Sequence, residues 1–252
     1  AAGTDTTPAR QYGPFPLVLF SQGFDEDPSG YDLLLGQWAA AGFVVAAPTY
    51  PHTDPGPGLD RSDIVHHPAE LSAAVSQVLA EAAQPGTVMS GLVNPTAIAA
   101  AGQSDGGDVT LAAAANSCCR DTRLKAALIL SGAEYDVFGG SYYSTGSPPL
   151  LVTQGSADSA AQGNAPICSV QLYNGAPAPK YYLDLIGAGH LPPYTQPDVW
   201  EPVVRAVTVD FLDAYLKGSS GAAAMAGDGT AAGVASLTTA PALPVPGGVC
   251  TG

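Results

Sequence analysis

Between Ala97 and Ala115 the chain runs from a small apolar segment, Ala97–Ala101, through Gly102-Gln103-Ser104-Asp105-Gly106-Gly107 into a helix-compatible stretch, Asp108–Ala115. This is G-x-S-x-G in the setting the motif needs, with a strand before it and a helix after it. A serine on such a sharp strand-to-helix turn is projected above the carboxyl edge of a sheet. Glycines are required around it because the turn packs on neighbouring backbone, where a Cβ would clash. The helix N-terminus behind the serine favours negative charge developing there. The rest of the chain fits a fold around this turn. Short apolar runs at Pro16–Phe20, Phe43–Ala47, Ala97–Ala101, Lys125–Ser131, Pro149–Gln154 and Lys180–Ile186 alternate with amphipathic stretches at Pro68–Ala83 and Asp198–Lys217. That alternation predicts an α/β fold with a mostly parallel sheet of about six strands and helices on both faces.

A serine hydroxyl needs a base, and four histidines are available: His52, His66, His67 and His190. His190 follows the last strand candidate in Gly187-Ala188-Gly189-His190, which puts it at the carboxyl edge where catalytic groups gather. The other three read as exposed loop histidines. A carboxylate between serine and histidine in the chain would orient the imidazole. Asp158, just past Pro149–Gln154, is favoured over Asp136 in an earlier loop and over Asp184 inside the last strand. The expected catalytic set is Ser104, Asp158 and His190. Two oxyanion donors are expected from backbone N–H groups. Asp105 supplies one and the loop Ser21-Gln22-Gly23-Phe24 the other, with Phe24 preferred over Gln22 or Gly23.

Composition narrows the function further. With 22 acidic against 8 basic residues the net charge is −14, which argues against nucleic acid or an anionic membrane as partner. No uninterrupted apolar run reaches the length of a membrane span. There is no P-loop or dinucleotide fingerprint and no Cys/His cluster of zinc spacing, so neither cofactor nor metal is expected. The acidic run Asp25-Glu26-Asp27 lacks the spacing of a calcium loop and reads as a solvated loop near the cleft. An even count of four cysteines (Cys118, Cys119, Cys168, Cys250) suits disulfides and a secreted protein that begins as a processed form. Three pairings are open, and Cys250 reads as a staple for the tail. That tail, 218–252, is rich in Ala and Gly. It is expected to pack back with one weak helix over Ala222–Val234, giving one domain over 1–252 and a monomer. Tyr142, Tyr143 and Tyr194 are either groove-lining or ordinary surface aromatics.

These residues resemble secreted actinobacterial serine esterases of the α/β-hydrolase superfamily, in the group joining bacterial cutinases and polyester hydrolases with chlorophyllase- and dienelactone-hydrolase-like proteins. The resemblance runs from about Gly13 to Lys217, through Pro16–Phe24, Gly42–Pro48, Gly102–Gly107, Gly155–Asp158 and Gly187–Pro193. It implies a serine carboxylester hydrolase without a cofactor, acting on short-chain or polymeric esters including aromatic polyesters. Phe24 would donate to the oxyanion and clamp the substrate. A lipase, an acyltransferase or a catalytically weak binding homologue are the rivals. The chain departs from the group in four ways. Its nucleophile is Ser104, where dienelactone hydrolases use cysteine. Gln103 and Asp105 flank the serine where the group has histidine and methionine or leucine, so that a carboxylate beside the oxyanion hole would oppose negative charge and push the activity optimum to alkaline pH. Tyr135 stands in for an aromatic-stacking tryptophan after Lys125–Ser131. The usual antiparallel hairpin before Pro16–Phe20 is lacking, which leaves a sheet edge to be covered.

Overall fold

A computed structural model of the chain describes residues 7–241 and Cys250. In order, its elements are β1 (Phe15–Ser21), α1 (Asp32–Ala40), β2 (Val44–Ala46), α2 (His67–Ala83), β3 (Val93–Gln103), α3 (Asp105–Ala115), β4 (Leu124–Leu130) and β5 (Leu150–Gly155), followed by α4 (Pro166–Gly175), β6 (Lys180–Leu185), α5 (Pro192–Thr195), α6 (Glu201–Leu216), α7 (Gly221–Asp228), β7 (Thr230–Ala231) and β8 (Ala235–Thr238). The strands form one eight-stranded sheet in the order β2-β1-β3-β4-β5-β6-β8-β7. The six strands read from the sequence, β1 to β6, pair in parallel.

Helices cover both faces, which is why the inner strands β1, β3, β4 and β5 contain continuous buried runs rather than alternating buried and exposed residues. Successive residues of β3 go to opposite sides: Ala99 and Ala101 face one core with Trp38, Val204, Phe211 and Met225, while Ile98 and Ala100 face the other with Leu71, Val75, Val109 and Leu172. α3 is buried along its whole length. Its run of alanines and glycines lets it lie close against the sheet, and its first residue is Asp105 rather than the expected Asp108. Across the other face, Trp38 Nε1 donates to Thr208 Oγ1 at 2.9 Å and joins α1 to α6.

The tail departs from expectation. A helix forms, but it ends at Asp228, and the chain then turns through β7 and β8. β8 pairs antiparallel with β6, setting Leu183 opposite Leu237 and Leu185 opposite Ala235. The tail thus adds two strands to the six expected and covers the edge that β6 would otherwise expose. The disulfides join Cys118 to its neighbour Cys119 and Cys168 to Cys250, the latter being the staple expected for the tail. Ala242–Val249, also expected to pack, lies outside the described residues. Among the described residues, no helix is long and apolar enough to cross a membrane.

Candidate active site

The carboxyl ends of β1, β3, β4, β5 and β6 converge on one cleft. Its centre is Ser104, at φ 55° and ψ −126°, a strained conformation for a non-glycine residue. The surroundings hold it there. A Cβ on Gly102 would sit 2.0 Å from Gly106 O, and one on Gly106 would sit 2.1 Å from Ser21 O, so neither position accepts a side chain. The Ser104 N–H donates to Leu130 O at 2.9 Å and its carbonyl accepts from Gly107 and Asp108, starting α3. The backbone N–H groups of Phe24 and Asp105 have no hydrogen-bond partner among the described residues. Phe24, Ser104, Asp105 and His190 line one lobe of the cleft, of about 420 Å³.

Asp158 and His190 meet as expected. The buried Asp158 carboxylate accepts from His190 Nδ1 at 2.7 Å, from Gln154 Nε2 at 2.8 Å and from the Ser159 N–H at 2.7 Å. Gln154 is itself held, its Oε1 accepting from Asn164 Nδ2 at 3.2 Å and from Ser169 Oγ at 2.5 Å. Three donors on one carboxylate fix its position. Asp136 and Asp184 do not contribute to this pairing.

The far nitrogen of the histidine is occupied unexpectedly. No hydrogen bond joins Ser104 Oγ to His190, and the His190 Nε2 instead lies 3.2 Å from Gln103 Nε2. The polarity of this contact follows from its neighbours. The Gly23 N–H donates to Tyr31 OH at 3.3 Å, and that hydroxyl donates to Gln103 Oε1 at 2.8 Å. Gln103 therefore turns its amide N–H groups toward His190, whose Nε2 accepts while Nδ1–H donates to Asp158. Gly163 roofs the ring. It sits at φ 146°, and a Cβ there would come within 2.2 Å of His190 Nε2.

The second lobe, of about 220 Å³, is lined by Ser104, Asp108, Glu134, Tyr135 and both cysteines of the Cys168–Cys250 bridge. Tyr135 thus borders the cleft beside Ser104. The anticipated conflict from Asp105 is met by a residue that the sequence reading left out. Arg61 grips the Asp105 carboxylate with both arms, Nε to Oδ2 at 2.8 Å and Nη2 to Oδ1 at 2.6 Å, and lies 5.6 Å from the Tyr135 ring centroid. That hydrogen-bonded pairing raises the guanidinium pKa. An alkaline optimum caused by a bare Asp105 carboxylate is therefore no longer expected. Burial, and then the charge of Asp105, push Asp108 well up toward its neutral form, although it still accepts the Ala133 N–H at 2.6 Å. Arg61 is one of only eight cations in the chain, and that scarcity was the signal available for it.

Other residues fall outside the cleft. Tyr194 is in the core, its hydroxyl 2.9 Å from both Ser131 Oγ and Thr153 Oγ1. Tyr142 is half-buried and ties its hydroxyl to the Tyr135 backbone. His67 is buried and stacked on Tyr50 at 4.1 Å, not an exposed loop residue, and burial lowers its pKa.

No curated protein matches the chain. Residues 6–162 match the chlorophyllase family, an α/β-hydrolase-like family. This segment is well over half of the chain and contains Phe24, Arg61, the Ser104 turn and Asp158, while His190 lies beyond it. The chain belongs to the chlorophyllase family.

Proposed function

We propose that this protein is a serine carboxylester hydrolase of short-chain or polymeric esters, aromatic polyesters included. The observation that carries the reading is the buried Asp158–His190 pair sharing a cleft with a strained Ser104. Ser104 Oγ attacks the ester carbonyl carbon and its proton passes to His190 Nε2. The backbone N–H groups of Phe24 and Asp105 take the oxyanion. Collapse expels the alcohol, which takes the proton from His190 and leaves an acyl-serine. Water then attacks the acyl group, again through His190, and releases the acid. Nε2 has one lone pair, so Gln103 must yield it when Ser104 turns in. The Phe24 and Tyr135 rings, on opposite lobes, suit flat or aromatic ester units. The two disulfides support work in an oxidising, extracellular compartment.

One observation favours a rival: with its base nitrogen engaged by Gln103, the protein could be a binding homologue on a hydrolase fold. Fluorophosphonate labelling decides between them. Adduct on Ser104 in the folded protein, lost in Ser104→Ala, together with turnover of a nitrophenyl ester, is the expected outcome. Folded protein that takes up no label and turns over no ester would leave the binding reading in place. Soluble aromatic products from amorphous polyester film, above the Ser104→Ala blank, would extend the activity to polymers.

A further inference from the structure

One hydrogen-bond donor beside Ser104 has no part in the reaction just described. Arg61 lines both lobes of the cleft, and its side chain is 53% exposed, whereas that of Asp105 is 9% exposed. Nε and Nη2 are used on Asp105, but Nη1 has no hydrogen-bond partner among the described residues. The two-pronged grip fixes the plane of the guanidinium, and Tyr135 lies against it. The direction of Nη1 is therefore set before any ligand arrives, which spares most of the entropy of ordering a long side chain.

The surroundings decide what Nη1 can hold. Asp105 cancels the guanidinium charge. The other acidic groups of the cleft beside it are Asp108, Glu134 and Glu26, whose pKa values burial raises first, and the remaining ionisable side chains lining it are His190, paired with Asp158, and Tyr135. The whole chain carries −14. An anion entering here meets no net positive field and several acidic groups. An uncharged carbonyl oxygen needs only the donor.

We infer that Arg61 is a specificity residue that donates through Nη1 to a second, uncharged oxygen acceptor on the substrate, so that diesters and polyesters are preferred to simple monoesters. The inference rests on the ester-hydrolase reading. It also gives the unusual Asp105 a purpose: the residue after the nucleophile anchors the group that reads the substrate.

The test is a set of initial rates by acid titration. Diethyl succinate, glutarate and adipate are compared with monoesters of matched length and with the corresponding anionic half-esters. After correction for the second ester group, wild type should favour at least one diester over its monoester by about tenfold in kcat/KM, the size expected for one hydrogen bond to a charged donor. The half-ester should fall below the diester. Arg61→Met alone would strand a buried carboxylate, so the informative variant is Arg61→Met with Asp105→Met, which should bring the diester-to-monoester ratio close to one. A wild-type ratio near one at every length, or a ratio retained in the double variant, overturns the inference. So does a half-ester that outpaces its diester. The wild-type series stands on its own if the double variant does not fold. Failure of wild type to hydrolyse any monoester, with no fluorophosphonate adduct, would instead remove the hydrolase reading beneath the inference.

Discussion

At the scale of single residues, Gln103 poses a conflict whose outcome is measurable. Its amide bonds to His190 Nε2 in the resting protein, an interaction that must break before Ser104 can hand over its proton. A bond present in the ground state and absent from the transition state slows the chemical step. Asp158 holds the imidazole from the other side, so Gln103 is not needed to set the tautomer. Gln103→Leu is therefore expected to speed Ser104 acylation about fivefold, the equivalent of one net hydrogen bond of about 1 kcal/mol. The same change strands the buried Tyr31 hydroxyl, for a loss of about 1–2 kcal/mol of stability. Stopped-flow acylation with a nitrophenyl ester and a thermal melt read both effects. Slower acylation would show instead that Gln103 positions His190. Arg61 illustrates why residue pairs are hard to read from a chain. Ser104 and Asp158 announce themselves by local motif and strand position, but the Arg61–Asp105 grip joins residues 44 apart with no periodicity between them.

At the scale of elements, β1, β3, β4 and β5 were legible because burial on both faces writes an apolar run into each, while β2 and β6, less buried, still carry short apolar stretches; the observed limits differ from the sequence reading mainly at the ends. β7 and β8 were not. They are two and four residues long, and what makes them strands is the open edge of β6, a tertiary cause with no local signature. Next to them, α7 docks on α6 so closely that a Cβ on Gly221 would lie 2.0 Å from Asp210 O. The contact brings carboxylates together. Burial first, and then Asp228 and Asp213, raise the Asp210 pKa to about 6. An acid raised in the folded state contributes stability that is fully present below its unfolded pKa and is lost as pH rises through its folded value. The docking of α7 is thus strongest at acidic pH and weakens across pH 4 to 7. Asp210 is partly solvated, so the effect is discounted. Asp210→Asn should raise the melting temperature at pH 8 by about 1–3 °C and leave it little changed at pH 4. An equal shift at both pH values would rule out titration of Asp210 as the cause.

At the scale of the molecule, the Cys168–Cys250 bridge ties the end of the described chain back to α4 across 82 residues. The closed loop contains β6, α5, α6, α7, β7, β8 and His190. Loop-closure entropy for that length corresponds to about 4.5 kcal/mol, and native disulfides deliver about 2–4 kcal/mol in practice. Both cysteines also line the smaller lobe beside Ser104 and Tyr135, so the bridge is a wall of the cleft as well as a staple. Stability and substrate fit should therefore fall together when it is removed. Cys250→Ser is expected to lower the melting temperature by about 5–12 °C. It should also raise KM for aromatic esters more than for a short acyl ester, because the bulkier group is the one that presses on that wall. The Cys118–Cys119 bridge lies outside this lobe, and Cys118→Ser with Cys119→Ser serves as the control, with KM unaltered for both substrates. A Cys250→Ser protein that loses stability but keeps the same ratio of KM values would mean that the bridge holds the tail without shaping the cleft.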